Sequence, residues 1–89
     1  MQVRWTAPAS QDLQRITRRI RRDNPTAARQ VAKTLYDGAM SLGAMPNRGR
    51  IGRIAGTREL VSAPFIIVYR IEAEIVEILS IYHSAQDWP

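Results

Sequence analysis

Cysteine is absent from this 89-residue chain, histidine occurs once, and lysine occurs once among 13 basic residues. Without cysteine there can be neither a disulfide framework nor a thiolate metal site. That suits a reducing, cytoplasmic setting, and no metal or cofactor is expected. The lone histidine, His83, is the natural candidate for proton transfer near neutral pH. No apolar run approaches the ~18 residues of a membrane span, so no membrane partner is expected. The opening MQVRWTAPAS has no basic region followed by a long apolar stretch, so no signal peptide is expected. Repeats, linkers and low-complexity segments are missing too. The chain therefore reads as a single domain, residues 1–89. At this length roughly 60% of the unfolded chain's surface can be buried, which allows one core and no deep cavity inside it.

What the chain does have is a stretch from Phe65 to His83 of two apolar, β-branched runs around Glu72-Ala73-Glu74. Val, Ile, Tyr and Phe suit a pleated, mostly buried surface. The first run, Phe65 to Ile71, is apolar at nearly every position, as in a strand covered on both faces. The second, Ile75 to Tyr82, sets Glu77 and Ser80 among aliphatic residues and reads as the neighbouring central strand. Two strands alone are marginal, and the first half of the chain is expected to cover them.

That half reads as a strand and two helices. Val3 to Thr6 forms a short strand. Thr6 caps a helix expected over about Ala7 to Asp23, with Pro8 in its first turn. Ala9, Leu13, Ile16 and Ile20 recur at helical spacing as its buried stripe. Asn24-Pro25 ends that helix and caps the next, expected over Pro25 to Leu42, with Gly43 as its stop. Small residues at 27, 28, 32 and 39 permit close packing of the pair. Residues 45–53 form a loop into a short strand, with no Walker or dinucleotide spacing. Thr57 to Val61 alternates as another strand, and residues 62–64 turn into the central hairpin. The tail after His83 is polar apart from Trp88. The order is β-α-α-β-β-β, an α+β fold: a helical hairpin packed on a small, mainly antiparallel sheet.

Charge is the strongest compositional signal. The net charge is +5, and all basic residues but Lys33 are arginine. Nearly all of them precede Glu59, whereas residues 59–89 are net acidic. Guanidinium groups bind phosphate and carboxylate oxygens two at a time, so nucleic acid or an acidic protein is the expected partner class. Two sets stand out: Arg15, Arg18, Arg19 and Arg22, with Arg21, on the first helix, and Arg48, Arg50, Arg53 and Arg58 in and after the loop. Asp12 and Asp23 are partial counterions for the first set.

Taken together, VRWTAPASQDL, NPTAA, LGAMPNRGRIGR, GTRELV, PFIIVYRI and ILSIYHSAQDWP, in this order over nearly the whole chain, resemble the RelE/ParE family of bacterial type II toxins. The resemblance implies a small growth-arresting toxin neutralised by a cognate antitoxin, usually acidic. The pair represses its own promoter, so operator DNA is met only through that complex. The family divides by target. RelE-like members are metal-independent nucleases that cut messenger RNA in the ribosome; ParE-like members poison DNA gyrase. RelE-like nucleases place an arginine where this chain has Ile66, and many relatives place one where it has Gln86. The nuclease reading makes His83 the base or acid, with Tyr82 assisting and Arg50 and Arg58 holding phosphate. The gyrase reading needs none of these. A third reading is a toxin scaffold that only binds its antitoxin. Arg58 beside Glu59 reads equally as a surface ion pair, Tyr69 as a hairpin core residue, and Trp5 and Trp88 as packing residues.

Overall fold

In the computed structural model, which describes residues 1–89, the chain runs β1 (Gln2–Trp5), α1 (Ala7–Arg21), α2 (Pro25–Ser41), β2 (Arg50–Ile51), β3 (Arg58–Ser62), β4 (Phe65–Glu72) and β5 (Ile75–His83). The strands form one sheet in the order β1-β5-β4-β3-β2. β1 lies parallel to β5 and every other pairing is antiparallel. A parallel pair requires a long crossover, and the α1–α2 hairpin is that crossover. The expected α+β order therefore stands, and the short strand expected at the end of the 45–53 loop is the two-residue edge strand β2, which makes four strands after the helices and not three.

Local chemistry sets the helix ends. Thr6 Oγ1 accepts from the Ala9 amide at 3.4 Å while its hydroxyl donates to the Ile78 carbonyl at 2.7 Å, so one side chain caps α1 and pins it to β5. Asn24 Oδ1 accepts from the Ala27 amide at 3.0 Å. Caps of this kind are worth about 1 kcal/mol each. α1 stops at Arg21, two residues short of expectation, because the amides of Asp23 and Asn24 both turn back to the Ile20 carbonyl. α2 ends at Ser41, one residue short of expectation, and Leu42 caps it in helical conformation. Gly43 matters for space: a Cβ there would lie 2.6 Å from the Met1 carbonyl oxygen.

The main core lies between the helices and one face of the sheet. Ala9, Leu35, Ala39 and Leu42 meet Leu60, Ile67, Tyr69, Val76 and Ile78, with Leu13, Ile16, Ile20 and Val31 at its edge. β5 does not alternate simply. Its pairing with β4 shifts between Val68 and Tyr69, leaving Leu79 as the extra residue of a bulge. Such a bulge reverses the parity of the strand. Val76 and Ile78 face the helices before it; Ile81 faces them after it.

The helices cover only this one face, which corrects the expectation that the first half of the chain covers the hairpin completely. On the far face Ile66, Val68 and Tyr82 form a second small core, covered by Leu79 and by the tail residue Trp88. The Trp88 ring stacks on Tyr82 with centroids 4.7 Å apart and planes 5° apart. Beside this apolar patch Glu77 of β5, only 5% exposed, bonds Arg4 of β1 and Arg70 of β4. The Arg4 and Arg70 guanidiniums hold its carboxyl below the usual carboxylate range, and Glu77 in turn raises Arg70.

Candidate functional site

An open groove of about 730 Å³ runs between α1 and the end of the sheet. Its floor is apolar: Ile16 and Ile20 from α1, Val31 from α2, Phe65 from β4 and Ile81 from β5. Its rim is polar, carrying Arg15, Arg19, Asp23, His83 and Gln86. Asp12 locks the two walls together. β1 ends opposite Ile78, so β5 beyond that point has a free edge, and the Asp12 carboxylate accepts the Ile81 amide at 2.9 Å. The other carboxylate oxygen accepts from Arg15 at 2.6 Å. Asp12 was expected only as a counterion; its bond to β5 depends on tertiary placement that no local pattern announces.

His83 is exposed at the end of β5, with its ring edge-on to Phe65 at 5.5 Å. Its Nδ1 accepts from the Ala85 amide at 3.0 Å. A neutral ring held this way carries its proton on Nε2, so the free nitrogen offers a donor and not a base. Gln86 Oε1 accepts from the His83 amide at 2.7 Å, which fastens the turn into the tail.

The structure does not bring His83 together with Tyr82, Arg50 and Arg58. Tyr82 is 3% exposed on the opposite face of the sheet beneath Trp88, and its hydroxyl has no partner. Ile66 is buried with it. Arg58 pairs in register with Tyr69, whereas His83 pairs with Phe65. Four residues along β4 separate those rungs, roughly 13 Å at ~3.3 Å per residue.

Every arginine of the loop set has an internal partner. Arg50 bonds Glu59 Oε1 through Nε and Nη2 at 3.1 and 2.9 Å. Glu59 Oε2 accepts the Arg53 amide at 3.1 Å. Glu59 is 1% exposed, so its ion pair is with Arg50 across the strands and not with the neighbouring Arg58. Arg58 donates to the Gly49 carbonyl at 2.7 Å, Arg53 to the Trp88 carbonyl at 3.0 Å and Arg48 to Ser41 Oγ at 2.7 Å. Tyr69 completes the loop's anchorage: its hydroxyl donates to the Pro46 carbonyl at 2.7 Å and accepts the Gly49 amide at 2.9 Å. These side chains hold residues 46–53 against the sheet.

The α1 set differs. Arg15 is held by Asp12, but Arg18, Arg19, Arg21 and Arg22 make no ion pair or hydrogen bond within the fold. Arg15, Arg18, Arg19 and Arg22 surround a surface hollow of about 390 Å³ with no apolar lining residue. No group of acidic, histidine or cysteine side chains is placed to hold a metal ion.

The family model for the ParE toxin of the type II toxin–antitoxin system parDE matches residues 3–88. A Sinorhizobium fredii protein named "Putative toxin Y4kP" is 44% identical over 89 residues, covering 98% of this chain and 92% of that protein. A structure of the chromosomal ParDE toxin–antitoxin system of P. aeruginosa matches with a TM-score of 0.85 at 25% identity, over 93% of this chain and 95% of that one. The toxin–antitoxin complex RelBE2 of Mycobacterium tuberculosis matches with a TM-score of 0.68 at 26% identity, over 92% and 95%.

Proposed function

Because the chain belongs to the ParE toxin family of type II toxin–antitoxin systems, we propose that it arrests growth in the cytoplasm by inhibiting DNA gyrase, without catalysis of its own, until a cognate acidic antitoxin neutralises it. The reading is carried by one observation. The two cations that the nuclease reading assigns to the phosphate beside His83 are committed elsewhere: Arg50 to Glu59 and Arg58 to the Gly49 carbonyl. Tyr82 lies across the sheet, and His83 Nδ1 is occupied by the Ala85 amide. A metal-independent ribonuclease needs a base, phosphate cations and an acid within reach of one another.

The groove beside α1 is assigned to the antitoxin. Its apolar floor suits the apolar stripe of an amphipathic segment, and Arg15 and Arg19 on its rim suit flanking carboxylates. Operator DNA is then met through the toxin–antitoxin complex.

A ribosome-dependent messenger endoribonuclease is the second reading, favoured by the one groove that does hold His83 with two arginines. Purified full-length chain separates the two. Gyrase supercoiling is expected to fall in its presence, and His83→Ala is expected to inhibit as well as the unaltered chain. Messenger cleavage in a translation reaction, lost in His83→Ala, together with unaffected supercoiling, would replace the gyrase reading with the nuclease one.

A further inference from the structure

We propose that the outward arginine row at the C-terminal end of α1 binds the phosphate backbone of duplex DNA without reading its sequence. The fold itself isolates the row. Elsewhere each cation has an internal partner; on α2, for example, Arg29 reaches Thr26 and Lys33 reaches Asp37. The cations left without one are Arg18, Arg19, Arg21 and Arg22, all within the last turns of one helix. A cation or two there would complement the helix dipole. Four, spaced to repel one another, exceed that need.

The groove does not account for them either. Arg19 stands on its rim, but Arg18, Arg21 and Arg22 lie outside it. An acidic protein segment needs apolar anchors beside its charges, and the hollow among Arg15, Arg18, Arg19 and Arg22 has none. A phosphodiester backbone needs only the guanidinium forks. From Arg15 to Arg22 the helix advances ~10 Å, a length over which duplex DNA presents about six phosphates. The contact is independent of the gyrase reading, and operator recognition stays with the antitoxin complex. A toxin that acts on a DNA-bound enzyme gains a second hold on the same assembly.

Fluorescence anisotropy with the full chain and a short labelled duplex of arbitrary sequence tests the idea. Three to four phosphate contacts give a slope of log affinity against log salt of about −3 to −4, a loss of roughly 100-fold between ~50 and ~200 mM salt. Arg18→Ala/Arg22→Ala is expected to flatten that slope by about 2, leaving roughly a 10-fold salt effect. Arg29→Ala/Lys33→Ala removes the same charge from α2 and is expected to leave the slope unchanged. Thermal melting of both variants shows that each remains folded. A slope shallower than about −1 for the unaltered chain, or equal slopes for the two double variants, would overturn the assignment. So would tighter binding of a polyglutamate peptide than of the duplex at equal salt, which would make the row a protein-docking surface.

Discussion

Glu59 is a carboxylate as hidden as the core residue Leu35. It is tolerated because Arg50 and the Arg53 amide satisfy both of its oxygens. Removing one partner of such a pair strands a buried charge and costs several kcal/mol. Arg50 is half exposed, at 54%, so water recovers part of that loss. Arg50→Ala is therefore expected to destabilise the chain by about 2–3 kcal/mol in urea unfolding. Arg18→Ala, with no internal partner to strand, should stay within about 0.5 kcal/mol. Equal effects from the two would show that the distinction between committed and free arginines is unsound. A loss of toxicity in an Arg50 variant would accordingly report lost structure and not lost chemistry. The arginine-rich composition was legible from the sequence, but the division was not. Arg50 and Glu59 are nine residues apart and meet only through the register of β2 on β3.

Among the elements, β5 ties the sheet together, and Glu77 is its electrostatic fastener. The carboxylate bonds Arg4 on one neighbouring strand and Arg70 on the other. Both bonds hold its folded-state pKa below the usual range, Arg4 contributing most. A depressed carboxylate stabilises the fold fully above its unfolded value, near ~4.3, and that contribution fades as pH falls through the folded value. Glu77→Gln is expected to lower stability at neutral pH by an amount that stays constant down to about pH 5 and shrinks below it. Urea unfolding at a series of pH values checks this. A gap that widens on acidification would contradict the assigned pairing. Much at this scale was legible: Thr6 and Asn24 marked the helix starts, and the β-branched runs marked the hairpin. The bulge at Leu79 was not. It shifts β5 by one residue against β4, so Tyr82 faces away from Ile78 although both positions are even. Nor was the tail's role, because one tryptophan in a polar segment carries no period. Its meaning comes from the bare face left by a helical hairpin that covers only one side.

On the scale of the molecule, the fold leaves a cation-rimmed apolar groove open while most other charges are paired internally. If the antitoxin fills the groove with an acidic segment, as proposed, it binds the folded chain and not the unfolded one. At free antitoxin 100-fold above its dissociation constant the stabilisation is about 2.7 kcal/mol. For a domain of this size that raises the melting temperature by roughly 10–20 °C. Arg19→Glu reverses a rim charge that has no internal partner. It is expected to leave the free chain's melting temperature nearly unchanged and to remove much of the antitoxin-induced rise. Arg29→Glu, on α2 and outside the groove, should preserve the rise. Loss of the rise in both variants would mean that net charge alone attracts the antitoxin. Preservation in both would place its binding on another surface, such as the free edge of β1. The order of sensitivities therefore locates the partner, because only a groove-bound segment makes position on the surface matter more than the number of charges reversed.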